Sequence, residues 1–433
     1  MLKSNSKDIN KGDTFIALKG TKYDGHDYVN EAIKNGASMV IVEHGNYPVT
    51  TMVVKSTIDY LNTYLKVLMP KINIIGITGT NGKTTTAYLI YQALNELNIK
   101  CAYIGTIGFY LDKKIRDLNN TTPGNLELFD YINKAYESGY QYIVMEVSSH
   151  ALKQGRCNFI DFSYAIFTNL TEDHLDYHLD MKDYMESKQI LFSKLCHGLN
   201  IINNDSPYSA NFKINNYITY GFKDSDYKIS NSNKQVIINN VKYKSHLIGK
   251  YNVYNMSCAI IVLLQLGIEA KKIQKITSKL TAPPGRLEPL KYKSNYIFID
   301  YAHTPDAVLK TIETVKYLKP NRIITIIGCG GNRDPYKRPI IGDIATSNST
   351  YVIFTNDNPR FEKPEDIVND IVKNLDNSNY EIVLNRAKAI KKGIQLLREN
   401  DILLVLGKGC ESYQIIGKKK YPFSDYQQIK KYL

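Results

Sequence analysis

Along the 433-residue chain, short apolar runs bounded by turn residues alternate with stretches whose apolar positions recur every three to four residues. Runs of the first kind read as buried strands and stretches of the second kind as amphipathic helices. The pattern predicts a small leading unit with strands at 14–18 and 38–43, a short helix at 28–34, and a helix at 58–69 that ends at Pro70. A second unit follows, with strands at 72–78, 101–104, 142–147 and 164–168 and helices at 84–97, 125–138 and 182–195. Strands and helices in alternation imply a largely parallel sheet covered by helices. Residues 200–250 carry only period-2 fragments, read as an antiparallel excursion, before helices at 253–266 and 270–280 and the break Ala282-Pro283-Pro284-Gly285. Beyond it the alternation resumes, with strands at 296–300, 322–327, 351–355 and 402–406. The expected fold class is α/β in three domains, 1–70, 71–283 and 284–433.

Composition narrows the class without choosing a function. With 43% hydrophobic and 22% charged residues the chain is an ordinary globular one. Its net charge of +13 is spread without a run of five basic residues, as expected of an Asn-, Ile-, Lys- and Tyr-rich composition rather than a nucleic-acid tail. The six cysteines at 101, 157, 196, 258, 329 and 410 stand singly, which argues against zinc or a disulfide framework and suits a reducing compartment. No stretch reaches the roughly 18 apolar residues of a membrane span and no apolar leader opens the chain. A cytoplasmic, monomeric protein with no nucleic-acid partner and no membrane insertion is expected.

Chemistry enters at the end of the strand at 72–78, where Gly79-Thr80-Asn81-Gly82-Lys83-Thr84-Thr85 leads into a helix. Glycines let backbone N–H groups wrap a phosphate, and the helix N-terminus favours an anion. Lys83 is suited to the β- and γ-phosphates and the Thr84 hydroxyl to Mg2+. The strict phosphate-loop pattern demands glycine where this chain has Ile77, so the loop is a variant form. Glu146 closes the apolar strand at 142–147, where side chains at the carboxyl edge of a parallel sheet face the ligand crevice. A carboxylate there is a hard ligand suited to Mg2+ beside bound phosphates.

The loop Gly79–Thr85 resembles that of the Mur ligase and folylpolyglutamate synthetase superfamily, and further motifs carry the resemblance along nearly the whole chain. They are Gly12–Leu18, Asp24–Asp27 and Asn35–Ala37 in the first unit; Thr121–Pro123, Met145–Leu152 and Asn169–His178 in the second; and Pro284–Glu288, Asp300–Pro305, Gly330–Asp334 and Asp357–Arg360 in the third. Jointly they resemble the diaminopimelate-adding branch of the Mur ligase family. That implies a small N-terminal α/β domain for a uridine nucleotide, a central ATPase-like parallel sheet domain and a C-terminal Rossmann-like domain.

The resemblance further implies an ATP- and Mg2+-dependent amide ligase of peptidoglycan precursor synthesis. It would add meso-diaminopimelate to the D-glutamate γ-carboxylate of a UDP-linked muramoyl dipeptide, through an acyl phosphate. By the same resemblance His174 and Lys188 join Thr84 and Glu146 at Mg2+, Lys188 as an N6-carboxylysine, and Asn255, Arg286, Asp300 and His303 attend ATP. Ser6, Thr121, Thr122, Ser148, Gln154 and Arg156 are expected to hold the nucleotide sugar, with Arg156 able to grip an anion in bidentate fashion. Arg333, Asp357, Asn358, Pro359, Arg360, Gly407 and Glu411 are expected to hold the amino acid: Arg360 for the carboxylate at its far end, Glu411 for the ammonium. The family's usual His is replaced by Cys410, and its usual Ser-Arg pair by Ser6-Lys7.

Overall fold

The computed structural model describes residues 1–20, 23–175, 177–232 and 234–433; Asp176, within one of the motifs above, lies outside the described residues. Three sheets organise the chain. The first has four parallel strands in the order Leu2–Lys3, Thr14–Ile16, Met39–Val42 and Thr50–Val53. One face encloses Phe15, Ala17, Val29, Ala32, Val40 and Val42. The other places Ile16 and Ile41 with Leu61 and Leu65 of helix Thr57–Leu68 against the large sheet, so alternate residues of one strand serve two cores.

The large sheet has eleven strands. Its parallel body runs Tyr227–Ser232, Tyr217–Gly221, Cys196–Asn203, Phe162–Phe167, Asn73–Thr78, Tyr142–Glu146, Cys101–Gly105. Antiparallel pairs cap both edges: Gln235–Ile238 with Val241–Lys244, and Gly108–Tyr110 with Lys114–Arg116. From Asn73–Thr78 the chain first builds towards Cys101–Gly105 and then crosses to Phe162–Phe167 on the opposite side. The phosphate-type loop therefore opens at the switch point of the strand order, where ligand crevices form in open α/β sheets.

The third sheet has the order Glu288–Tyr292, Asn295–Asp300, Ile402–Leu406, Ile323–Ile327, Tyr351–Phe354, Tyr380–Ile382, parallel except for the first pair. A small hairpin, Tyr413–Ile416 with Lys419–Pro422, hangs beyond its carboxyl edge.

Most of the expected elements appear within a residue or two of the read limits, because apolar runs such as Ile74-Ile75 and Leu403-Leu404-Val405 are fully buried. Two regions differ. Residues 200–250 prolong the parallel body before the antiparallel hairpin: Ile201, Ile202 and Tyr220 face the cores, but each strand holds too few apolar residues to stand out among Asn, Lys and Tyr. The helix expected over 182–195 is α-helical only across Met181–Ile190 and ends in a π-type turn, Leu191–Leu195, that runs directly into the strand Cys196–Asn203. Such wide turns cluster near functional sites, and this one follows Lys188.

Candidate functional site

The loop after Asn73–Thr78 is held open by its neighbours. Gly79 (φ +147°) and Gly82 (φ +87°) take left-handed backbone, and a Cβ on Gly79 would lie 2.0 Å from the Thr168 hydroxyl. Residues 168–171 clasp the loop: the Thr80 amide donates to the Asn169 carbonyl (2.9 Å), the Asn81 amide to Asn169 Oδ1 (3.0 Å), and Thr168 Oγ1 to the Asn81 carbonyl (2.7 Å). Thr80 Oγ1 meets the Tyr184 hydroxyl at 3.2 Å. On the far side Asn255 accepts from the Thr86 hydroxyl (3.2 Å) and presses on Gly82, where a Cβ would come within 2.6 Å of its Oδ1. Thr85, on the first turn of helix Lys83–Glu96, is buried.

Two amines point into the loop. Lys83 Nζ donates to the carbonyls of Gly79 and Thr80 (2.8 Å each), and Lys188 Nζ to the same Gly79 carbonyl (3.0 Å). Burial pushes the Lys83 ammonium below its ordinary value, against the pull of Glu146 and Asp173. Burial first, then the neighbouring Lys83 charge, hold Lys188 well below it. Two cations on one carbonyl oxygen repel, so the pocket suits an incoming anion and favours Lys188 as a neutral amine.

Glu146 is fully buried, and its carboxylate takes four hydrogen bonds. Oε1 accepts from the Tyr103 hydroxyl (2.6 Å) and the Thr106 amide (2.8 Å); Oε2 accepts from Thr84 Oγ1 (2.9 Å) and Thr106 Oγ1 (3.1 Å). His174, in left-handed backbone (φ +58°), and Lys188 instead flank Tyr184, the imidazole at 6.2 Å between ring centroids and the Lys188 amine 4.4 Å from the ring centre. The four expected metal ligands thus form two half-sites, Thr84 with Glu146 and His174 with Lys188, and the Lys83 ammonium feels the charges of both Glu146 and Asp173. Among the described residues no cluster of three His, Cys, Asp or Glu makes a metal cage. An oxygen-donor set of hydroxyl and carboxylate beside a phosphate loop fits Mg2+, which binds through one or two carboxylates and phosphate oxygens.

The third unit reaches this loop. Arg286 Nη2 donates to Thr84 Oγ1 (3.3 Å), and its guanidinium stacks over Tyr301 (4.6 Å). The turn carrying it, with Leu287 at φ +48°, is pinned by buried Asp300, whose Oδ2 accepts from the Leu287 amide (2.6 Å) and Oδ1 from the Ala302 amide (2.8 Å). Burial raises the Asp300 carboxyl above its usual range. His303 donates through Nδ1 to the Tyr301 carbonyl (2.8 Å), and burial lowers its imidazolium.

Five expected nucleotide-sugar residues converge at the carboxyl end of Tyr142–Glu146. Buried Thr122 donates to the Glu146 carbonyl (2.9 Å) and accepts from the Ser148 amide (3.0 Å), while Arg156 Nη1 donates to the Thr122 carbonyl (2.9 Å). Gln154 bridges Arg156 and the Tyr177 hydroxyl, and Thr121 meets Thr106 at 3.1 Å. Ser6 stands apart in the first unit: it is buried, and its hydroxyl donates to Glu31 Oε2 (2.8 Å).

The remaining expected residues gather at the carboxyl edge of the third sheet. Glycines at 328, 330 and 331 let the loops after Ile323–Ile327 and Tyr351–Phe354 touch; a Cβ on Gly331 would lie 2.0 Å from the Pro359 carbonyl oxygen. Arg360, at φ +54°, donates through Nη1 to the Gly331 carbonyl (2.8 Å). Burial and the exposed Arg333 guanidinium both lower the Arg360 cation, whereas Asp357 and Glu411 support it. Glu411 Oε2 accepts from Asn358 Nδ2 (2.8 Å) and from fully buried Lys408 (2.7 Å). Gly407 (φ +109°) leaves room for Asp357, whose Oδ2 would lie 2.7 Å from a Cβ there.

Lys408, Tyr103, Thr106 and Asp173 were not singled out by sequence. A lysine inside a Gly-Lys-Gly loop reads as solvated, and a tyrosine inside an apolar strand reads as core.

The Mur ligase family catalytic-domain profile matches residues 1–79, the Mur ligase middle domain 77–263 and the Mur ligase glutamate ligase domain 285–409. The chain belongs to the Mur ligase family. Within it, the chain is 40% identical over 444 residues to the UDP-N-acetylmuramoyl-L-alanyl-D-glutamate--2,6-diaminopimelate ligase of Fusobacterium nucleatum, covering 97% of this chain and 91% of that one. It is 41% identical over 447 residues to the ligase of the same name from Aquifex aeolicus (99% and 92%). A solved structure of a ligase of that name, 29% identical, superposes with a TM-score of 0.70 over 100% of this chain and 94% of that one. The MurF ligase of Thermotoga maritima in complex with ADP shares the fold at 18% identity, with a TM-score of 0.65 over 94% and 93%.

Proposed function

We infer that the chain is an ATP-dependent ligase that joins meso-diaminopimelate to the D-glutamate γ-carboxylate of UDP-N-acetylmuramoyl-L-alanyl-D-glutamate. The feature that supports the choice of amino acid is the mixed charge around Arg360 at the carboxyl edge of the third sheet, where the Arg333 guanidinium and the Asp357 and Glu411 carboxylates all act on it. The far end of diaminopimelate is itself a carboxylate and an ammonium, so a site with both signs matches it. A lysine side chain offers only the cation.

In this reading the loop amides and Lys83 hold the β- and γ-phosphates of ATP, and Asn255, Arg286, Asp300 and His303 order the nucleotide from either side. Thr84, Glu146, His174 and a carbamylated Lys188 would hold Mg2+, which when bound would screen phosphate charge and polarise the phosphoryl oxygens. Carbamylation joins a neutral amine to carbon dioxide, releases a proton and turns a repelled cation into an oxygen ligand. The buried, depressed Lys188 amine is prepared for that step. Thr121, Thr122, Ser148, Gln154 and Arg156 place the dipeptide, and Ser6 lies with the uridine end.

The γ-carboxylate takes the terminal phosphoryl group of ATP, releasing ADP and leaving an acyl phosphate. The diaminopimelate amine, having lost its proton, attacks the acyl carbon; the tetrahedral adduct expels phosphate and the amide remains. The chain's contribution is alignment and charge neutralisation, with Arg286 bringing the third unit onto the Thr84 end of the loop. A reaction that consumes ATP and a nucleotide-linked substrate is one of the cytoplasm, and the reading carries that location with it.

Incubation of the purified chain with ATP, Mg2+, the UDP-linked dipeptide and diaminopimelate tests the reading. One ADP and one product heavier by a diaminopimelate residue are expected per turnover. Nucleotide binding without ADP release under those conditions contradicts it.

A further inference from the structure

We propose that Tyr103 is a positioning residue for the cation site: its buried hydroxyl fixes one oxygen of Glu146 so that the other alone is offered to the metal at Thr84. The proposal rests on the reading of Glu146 as a Mg2+ ligand given above, and it extends that reading to a residue in an apolar strand whose ring also packs in the core.

Tyr103 lies in the strand Cys101–Gly105, paired in parallel with Tyr142–Glu146, and is fully buried. Its ring is locked edge-on against Tyr88, Tyr91 and Tyr110 at centroid distances of 6.1, 6.2 and 5.7 Å, so the hydroxyl cannot swing away from its 2.6 Å bond to Glu146 Oε1. Gly105 keeps this contact possible. A Cβ there would lie 2.4 Å from both the Tyr103 hydroxyl and Glu146 Oε1.

The asymmetry of the four donors sets the direction. A carboxylate has about four lone-pair sites, and all four are filled. Oε1 is held by a caged ring and a backbone amide (Thr106), neither of which can turn. Oε2 is held by two hydroxyls, Thr84 and Thr106, which rotate about a single bond and can yield a lone pair to a cation. The carboxylate is thereby clamped as a one-oxygen ligand whose free end faces the phosphate-loop threonine. Partners of ligands commonly set metal affinity in this way.

The test is Mn2+ binding to the full chain with ADP, followed by electron paramagnetic resonance, beside ADP affinity measured in chelator. Tyr103→Phe is expected to weaken Mn2+ about 10-fold or more while metal-free ADP affinity stays within about two-fold. Tyr103→Met, which fills apolar space without a hydroxyl, is expected to do likewise and carries the test should Tyr103→Phe not fold. Tyr88→Leu, which loosens the ring cage without touching Glu146, marks how much loss packing alone can cause, and it should cause less. The proposal is overturned by unchanged Mn2+ affinity in a folded Tyr103→Phe chain, by a parallel loss of metal-free ADP binding, or by an equal loss in Tyr88→Leu. Glu146→Gln separates the two readings. If it leaves Mn2+ affinity intact, the ligand assignment falls; if it abolishes Mn2+ binding while Tyr103→Phe does not weaken it, only the role of Tyr103 falls.

Discussion

Arg386 and Asp425 form an ion pair with no solvent exposure on either side chain, and breaking it should be among the most costly single changes in the third unit. Arg386 Nε and Nη2 each donate to the carboxylate at 2.7 Å, and Nη2 also donates to the carbonyl of Leu406 (2.9 Å), the last residue before Gly407. Among the described residues its Nη1 has no hydrogen-bond partner. The pair therefore ties the C-terminal helix Asp425–Lys430 to the strand end that launches the loop bearing Lys408 and Glu411.

Asp425→Leu leaves a guanidinium buried with only a carbonyl for company, and Arg386→Met leaves a bare carboxylate. Each is expected to cost about 3–5 kcal/mol. In a unit of this size that is a fall of about 6–20 °C in the corresponding transition, read by scanning calorimetry of the full chain. The double variant Arg386→Met/Asp425→Leu replaces charge by apolar volume and should forfeit mainly the Leu406 bond, about 1 kcal/mol. Stability recovered in the double variant is thus the signature. Single variants that cost less than about 1 kcal/mol, or a double variant whose loss is the sum of the singles, would refute the reasoning.

Three further outcomes are expected. Arg360→Ala should raise the KM for diaminopimelate about 10- to 150-fold with little change in kcat, the loss of one charge-assisted contact worth about 1.5–3 kcal/mol; initial rates at varied amino acid decide it. Burial pushes the Cys157, Cys258 and Cys329 thiols up to about 12, so at pH 8 almost no thiolate exists on them. Alkylation of the native chain at that pH should be confined to Cys410, which is partly rather than fully buried, rising to all six sites in denaturant, as peptide masses will show. Finally, the chain equilibrated with 13C-labelled bicarbonate should show a carbamate carbon resonance that Lys188→Met lacks.

The framework of the molecule was legible because its strands are buried on both faces, so runs such as Ile74-Ile75 and Ile323-Ile324 announce themselves without periodicity. The phosphate loop was legible because strand, glycines, Lys83 and helix occur in order. Other features depend on partners remote in sequence. The four bonds to Glu146 come from residues 84, 103 and 106, and nothing local marks Tyr103 as polar in purpose. Lys408 looks like a solvated lysine until Glu411 and Asn358 close over it. The parallel strands between 196 and 232 were hidden for the opposite reason, since their buried apolar side chains are few, Cys196, Ile201, Ile202, Tyr220 and Ile229, amid Asn, Lys and Tyr.

The central claim is most directly tested by turnover with meso-diaminopimelate against L-lysine, each added with ATP, Mg2+ and the UDP-linked dipeptide, with tripeptide product measured by mass. A site that carries both signs of charge, at Arg333, Arg360, Asp357 and Glu411, predicts a kcat/KM about 100-fold or more in favour of diaminopimelate, the worth of a charged contact unmatched by lysine. Equal or greater turnover with lysine would contradict it.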